Sequence, residues 1–388
     1  MKKPRKKSWN RQKKKGSKNM ANQFLTTKEI ARAMLPMLQD NLVFPALAYT
    51  DYSDTFSKKG DTIQVKKPPV YVADEFSGSI SVQDVKEENV LVTLDKIADV
   101  SVELSAKEMA LNISDFTEQV LRPAALAIAE KINKDGLSLY TDVINTCGTP
   151  GKTPSSLEDI AAVCKALNDA KVPFSQRYAV WDSAALAKLQ TIPAVINAEK
   201  CGSTDALRDG SIGRLLGMEN YMSQQVVHHT AGTLSATGGV CISIRPGLGS
   251  DTLILGPKSG TLSGEIKKGD ILTVAGDRYV ATADATVKSS QITVHISPET
   301  KVNYPAEEVV TVMASHTANL AFNKNAFGFV TRPLEVARGA DSYVTSFGGI
   351  TLRVTLDYNI ATKKQTMSVD TLYGFKTLYP ELAVRVLG

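Results

Sequence analysis

Two periodicities divide this chain. In one stretch apolar residues recur every three or four positions, at Phe116, Val120, Leu121, Ala124, Ile128 and Ile132, and then at wider spacing to Leu139 and Val143. That spacing lays one apolar stripe along a long helix, interrupted at Pro123 and Gly136. An earlier helix is predicted over Ile30, Ala33, Met34 and Leu38, capped by Thr26 or Thr27 with Glu29 and bent by Pro36. Ser105-x-x-Glu108 reads as a capping box ahead of a helix, and the long helix begins near Asp115 or Glu118. Ser155-x-x-Glu158 reads as another box, for a helix over Leu157, Ile160, Val163, Leu167 and Ala170 that stops at Val172-Pro173. Tyr178-Ala-Val-Trp181 follows as a short buried strand, then a helix capped by Asp182, and the alternation of helix and strand continues to Met222.

Elsewhere the period is two. Between Lys58 and Leu104, Ile63 and Val65 alternate with Thr62, Gln64 and Lys66, and Val90, Val92 and Leu94 alternate with Leu91 and Thr93. Pro68-Pro69 and Phe76-Ser-Gly-Ser79 lie between the two runs, so a long hairpin without a core of its own is expected. From about Thr230 to His316 helical periodicity vanishes. Six strand-like runs appear at Gly239–Ile244, Thr252–Leu255, Asp270–Ala275, Arg278–Thr282, Gln291–Ile296 and Val309–Val312, closely spaced and separated by turn residues. Such a pattern predicts a small all-β barrel inserted into another domain. After it, Asn319–Glu335 is apolar at Leu320, Phe322, Phe327, Phe329 and Val330 before breaking at Arg332-Pro333. The run Leu382–Leu387 is apolar almost to the last residue given, which predicts a strand held inside a sheet.

Composition places this pattern in a globular protein: 388 residues, 43% apolar and 22% charged, enough for two or three cores. No apolar run approaches the roughly 18 residues of a membrane span, and no apolar segment follows the first basic residues as in a signal peptide. The net charge of +5 is unevenly distributed. Lys2, Lys3, Arg5, Lys6, Lys7, Arg11, Lys13, Lys14, Lys15 and Lys18 put ten positive charges and no acid into residues 1–19, which leaves the rest of the chain at −5. So basic a block is expected to stay disordered and solvated until it meets a polyanion; phosphate neutralisation is its functional reading, and an expression remnant or an over-extended start is the other. In the hairpin, Lys58, Lys59, Lys66 and Lys67 lie on one arm and Asp84, Glu87 and Glu88 on the other. They form either a solvated face or rim charges that set the register of a contact between subunits.

No constellation of residues points to catalysis. Cys147, Cys164, Cys201 and Cys241 are far apart and lack the paired spacing of a zinc site; scattered thiols fit a reducing compartment. Cys147-Gly-Thr-Pro-Gly-Lys-Thr153 ends like a phosphate-binding loop, but Thr146 stands where the first glycine is needed, so a turn is expected. Gly210, Gly213 and Gly217 do not have dinucleotide-fold spacing, and in Gly260-Thr-Leu-Ser-Gly264 the serine is misplaced for a nucleophile elbow. His228-His229 and His316 flank the predicted insertion and His295 lies within it. Neighbouring histidines on a strand point to opposite faces, so they are read as junction residues and not as a metal site. No enzyme activity, cofactor or metal is expected.

Three segments, "DALRDGSIGRLLGMENYMSQQVVHHTAGT" (205–233), "NLAFNKNAFGFVTRPLE" (319–335) and "LRVTLDYNIATKKQTMSVDTLYGFKTLYPELAVRVLG" (352–388), resemble in that order the major coat protein of short-tailed double-stranded DNA phages of the Salmonella-phage type, a family with the Hong Kong 97 capsid fold. The resemblance runs from about Met20 to Gly388, and Lys268–Gly276 is similar to the inserted domain of that family. It implies an α+β fold in this order: a basic arm (1–19), an N-terminal arm reaching over a neighbour (20–57), an extended β-hairpin loop (58–104), and a spine helix with the first part of the axial and peripheral domains (105–229). An inserted β-barrel (230–316) and a return segment completing the core (317–388) follow. The implied function is that of a major capsid protein, assembling itself as pentamers and hexamers into an icosahedral shell around double-stranded DNA. Scaffolding and portal proteins are the implied partners, no membrane is involved, and no cross-linking or maturation cleavage is implied. The implied location is the virion capsid, assembled in the bacterial host cytoplasm. Two other readings stay open: an encapsulin-type compartment shell, and a nucleic-acid-binding protein that works through its basic arm.

Overall fold

In the computed structural model, which describes residues 26–50, 62–66, 89–104, 116–197, 208–336, 339–360 and 364–388, the first helix runs from Thr27 to Asn41. The Thr26 hydroxyl oxygen accepts the Glu29 N–H at 3.3 Å and the Glu29 carboxylate accepts the Thr26 N–H at 3.4 Å, a complete capping box. Pro36 stays inside the helix, which buries Ile30, Ala31, Met34, Leu35 and Leu38. These side chains belong to the main core together with Phe44 and Leu47 of the following short turn. The segment expected as an arm over a neighbour is therefore, from Thr27 to Ala48, packed into its own subunit. Its apolar stripe is wide enough to need a partner, and this chain's long helix and sheet supply one.

The long helix, Arg122–Leu137, buries Ala124, Ala125, Ile128, Ala129, Ile132, Asn133 and Gly136 along one face. Pro123 does not break it. The preceding turn, Thr117–Leu121, is a π-helix in which the Arg122 N–H reaches back to the Thr117 carbonyl, and the widened turn accommodates a proline ring that lacks a donor. A 3-10 turn, Ser138–Asp142, extends the helix at its other end. Gly136 lies against Phe44, where a β-carbon would come within 2.4 Å of the ring. Phe44 in turn meets Phe322, Phe327 and Phe375 at centroid distances of 5.4, 5.5 and 5.9 Å. Asn133 is buried and accepts the N–H groups of Val43 and Phe44 while donating to the Asn41 carbonyl, so the long helix terminates the first one. The capping box expected at Ser105 and Glu108 lies outside the described residues.

Two sheets share this core. The first comprises Lys96–Leu104, Lys364–Thr377, Ile350–Asn359, Asp341–Phe347 and Phe327–Arg332, all antiparallel. Ala98, Leu352, Val354, Met367, Val369 and Tyr373 face the helices from it. Lys96–Leu104, expected as the end of the hairpin, is thus a sheet strand, with Val100 opposite Val369. The hairpin itself pairs Thr62–Lys66 with Asn89–Thr93, Ile63 opposite Val92. It has a core at its base, since Val92 and Leu94 are buried with Val330, Leu372, Leu378 and Tyr379. It passes over the sheet at Gly374, where a β-carbon would come within 2.3 Å of the Thr93 carbonyl oxygen.

The second sheet has the order Asn145–Gly148, Ala383–Leu387, His316–Asn323, Arg177–Trp181, Met218–Met222, Arg214–Leu215, with His228–His229 pairing the start of His316–Asn323. The closing strand lies between a parallel and an antiparallel neighbour and is buried throughout. The helix Leu157–Asp169 covers the sheet with Ile160, Val163 and Leu167. Its cap falls one residue later than Ser155-x-x-Glu158: Ser156 and Asp159 form the box, because the Asp159 carboxylate takes the N–H groups of both Ser155 and Ser156. The Asp182 cap forms as expected, accepting from Ala184 and Ala185.

Between the strands His228–His229 and His316–Asn323 stands a closed six-stranded barrel. Its order is Val240–Ile244, Thr252–Pro257, Ile292–Ser297, Asp277–Ala281, Ile271–Val274, Val309–Val312, one strand for each of the six predicted runs. Ile292, Val294 and Ile296 point inward while Thr293 and His295 are exposed, the alternation that makes a barrel interior. Among the described residues no helix is long and apolar enough to cross a membrane.

Candidate functional site

A cluster of buried polar side chains lies where the barrel meets the core. Five elements converge there. The 3-10 turn ending the long helix brings Tyr140, the strand entering the barrel brings His229, and the turn before Ile271–Val274 brings Asp270. The strand leaving the barrel brings His316 and the closing strand brings Arg385. His229 and His316 are directly opposite in the antiparallel pair, their rings 5.4 Å apart, whereas His228 is exposed on the other face.

Asp270 is fully buried, and its carboxylate is saturated with donors. Oδ2 accepts the N–H groups of Lys267 at 2.8 Å and Gly232 at 3.0 Å, while Oδ1 lies 2.7 Å from His229 Nε2. The carboxylate accepts from Nε2–H and thereby fixes the tautomer, leaving Nδ1 to accept the Tyr140 hydroxyl at 3.0 Å. Burial raises the Tyr140 pKa, so its hydroxyl keeps its proton. Arg385, also fully buried, places its guanidinium carbon 4.5 Å above the centroid of the Tyr140 ring and donates through Nη1 to the Gly269 carbonyl at 2.7 Å. Burial lowers its pKa to about 10, against the raising influence of Tyr140 and Asp270. His316 Nδ1 donates to the Ala314 carbonyl at 2.7 Å, so Nε2 carries a lone pair, and that atom has no partner among the described residues. Burial first, and Arg385 second, push the His316 pKa down to about 4.

The Tyr140–His229–Asp270 connectivity is that of a proton relay, but Tyr140 is 7%, His229 4% and Asp270 0% exposed. What this arrangement does chemically is satisfy the hydrogen bonds of a buried carboxylate and orient the rings between two structural units. Arg278 adds a second tie from the barrel, donating to the Thr146 carbonyl at 2.7 Å and to its hydroxyl. Among the described residues no group of three or more His, Cys, Asp or Glu side chains gathers as a metal site. Cys147, Cys164 and Cys241 are free thiols, each with its pKa raised by burial.

The sequence-predicted positions fare unequally. All ten basic residues of 1–19, and Lys58, Lys59, Lys67, Asp84, Glu87 and Glu88, lie outside the described residues. Lys66 is described in backbone only, opposite Asn89. Gly148 and Gly151 form a turn with positive φ, and the Gly151 N–H is engaged by the Gly388 carbonyl at 3.3 Å. Gly210, Gly213 and Gly217 likewise take positive φ, Gly217 in a turn. The two junction histidines face each other, but sequence reasoning does not single out Tyr140, Asp270 or Arg385. Arg385 carries the clearest signal of the three, a lone charge in an otherwise apolar closing strand.

Comparison with known protein families and with curated proteins finds no match. Solved structures are similar at low identity. One from Mycobacterium phage Che8 is 15% identical, covering 89% of this chain and 90% of that one, with a TM-score of 0.48. The capsid structure of cyanophage P-SCSP1u is 13% identical over 89% of this chain and 88% of that one, TM-score 0.44. A virus-like particle from Pyrococcus furiosus is 10% identical over 93% and 98%, TM-score 0.39.

Proposed function

We propose that this chain is a structural shell protein with the Hong Kong 97 capsid fold: the major capsid protein of a tailed phage, forming an icosahedral shell around double-stranded DNA. The observation that carries the reading is the closed barrel set between two paired strands of an α+β core. The resemblance of three sequence segments implies an insertion at that place. The long helix across the sheet and the hairpin lifted over Gly374 support it further, as the strut and extended loop of such a subunit.

On this reading function lies in interfaces. Pentamers and hexamers form through the hairpin, whose charges at Lys58, Lys59, Lys66 and Lys67 pair with Asp84, Glu87 and Glu88 of neighbouring subunits. The basic residues from Lys2 to Lys18 neutralise packaged DNA, each releasing about one counterion. Scaffolding and portal proteins are the further partners, and kinship with the Salmonella-phage coat type is the finer assignment. The inserted barrel weighs against an encapsulin-type compartment.

Negative-stain microscopy of the expressed protein, alone and with a scaffolding partner, tests this. Closed shells of uniform size are expected. A protein that stays monomeric or in small oligomers under both conditions sinks the reading, and nuclease digestion of any shells separates a nucleic-acid filling from a protein cargo.

A further inference from the structure

We propose that a polar latch centred on Asp270 docks the barrel on the core, and that the barrel releases from the core as a folded unit when this latch opens. The proposal concerns the single subunit and does not depend on the capsid reading.

The first support is the independence of the barrel's interior. Its core, including Ile242, Leu255, Leu272, Tyr279 and Val294, is built from residues between Leu234 and Val312, and its six strands close on one another. Among the described residues, none outside that range contributes to the interior. The second support is the composition of the contact between barrel and core. Its apolar part is one small cluster in which Ile271 and Val280 of the barrel meet Leu387, with Ile144 and Met313 beside them. The remainder is polar: Asp270 to His229 and Gly232, the Gly269 carbonyl to Arg385, Arg278 to Thr146, and an ion pair of Lys268 with Asp142 at 4.0 Å.

Opening a contact of this kind costs less than opening a core, because freed donors and acceptors regain water while exposed apolar surface regains nothing. Two self-contained units joined by a small, polar contact therefore separate before either unfolds. Asp270 is the centre of the latch because its carboxylate takes donors from both strand and turn at the junction. The His229 ring it holds is in turn fixed by Tyr140 at the end of the long helix. Through that chain the barrel's position is coupled to the long helix, and through Gly269 and Arg385 to the closing strand.

Hydrogen exchange read by mass spectrometry on the full-length, unassembled subunit tests the latch from both sides, with Asp270→Asn altering the barrel and His229→Gln altering only the entering strand. Exchange in peptides covering 229–234 and 265–270 is expected to speed up about tenfold or more in both variants, while 383–387, laddered into the core sheet, keeps its protection. Strands 240–244, 252–257 and 292–297 should stay within about twofold of the wild type. If the barrel strands speed up by the same factor as the junction in both variants, the barrel unfolds instead of releasing and the proposal is overturned. It is equally overturned if the junction peptides keep wild-type protection in both.

Discussion

Acid should weaken this fold in a window set by one side chain, His316. Its Nδ1–H is committed to the Ala314 carbonyl, and Nε2 faces a buried region holding Arg385, His229 and, through His229, Tyr140 and Asp270. A proton on Nε2 would add a cation near a buried guanidinium with no acceptor among the described residues. Burial, then Arg385, hold the folded pKa at about 4 against an ordinary value of 6.5. Between these values the unfolded chain takes up a proton that the folded chain refuses, so stability falls as pH falls through 6.5 and levels off below about 4. At about 1.4 kcal/mol per pKa unit the loss is about 3 kcal/mol, a large share of the stability of an ordinary domain.

Asp135 and Asp159 act outside this window. Burial pushes Asp135 up, but hydrogen bonds from Lys131 and Tyr373 outweigh it; for Asp159, the N–H groups of Ser155 and Ser156 and the Ser156 hydroxyl do the same. Both carboxyls are held below 3.8, so their contributions are lost only at lower pH. The control is His316→Asn, whose amide still donates to Ala314 but does not titrate. Urea unfolding of the unassembled subunit, repeated from about pH 7 to about pH 4, should show the wild type losing about 3 kcal/mol more than the variant. The variant itself starts lower by about 1–2 kcal/mol at neutral pH because the ring contact with His229 is gone. Parallel pH profiles for the two proteins refute the reasoning.

Asn133→Leu should cost about 3 kcal/mol or more in the same assay, since two N–H groups and a carbonyl at the end of the first helix lose the side chain that satisfies them. Gly136→Ala gains helix propensity of up to about 1 kcal/mol but drives a methyl into the Phe44 ring, so a net loss of about 1–2 kcal/mol is expected; a stabilised variant would show that the aromatic cluster yields. Gly374→Ala meets backbone at the Thr93 carbonyl, which has no rotamer to change. It should lift the hairpin, seen as faster exchange at 89–94 with the long helix unaffected. Removing residues 1–19 should leave the unfolding transition in place. It should also reduce the salt dependence of DNA binding by about 0.9 in slope for each phosphate no longer neutralised, read from binding titrations at several salt concentrations.

Much of the fold is legible in the sequence because its burial is periodic. Each of the six barrel strands appears as a short apolar run between turn residues, and the stripe from Phe116 to Val143 foretells the buried face of the long helix. Sequence and structure part where a tertiary neighbour decides. Lys96–Leu104 alternates just as the hairpin does, and only its pairing with Lys364–Thr377, far along the chain, makes it a sheet strand. The capping box at Ser156 lies one residue beyond its expected place because Ser155 and Glu158 satisfy the same spacing. The structure favours Asp159, whose shorter side chain collects both serine amides.

The candidate site shows the same limit more sharply. Tyr140, His229, Asp270, His316 and Arg385 come from five elements, and no two of them are near enough in sequence for spacing to carry a signal. Only chemistry out of place betrays them: a histidine pair at a domain entrance, and an arginine in an apolar strand. Each oddity is cheap to explain alone as a surface residue. It becomes informative only when burial is known, since a fully buried Asp270 must be compensated by neighbours, whereas the side chain of the fully buried Arg385 makes one hydrogen bond, to Gly269, and its Nε and Nη2 have no hydrogen-bond partner among the described residues. The partners of Asp270 and that one bond help join barrel to core. An apolar junction would have been visible as two more hydrophobic positions and would have locked the units together; the polar one is nearly silent in sequence for the same physical reason that it permits release.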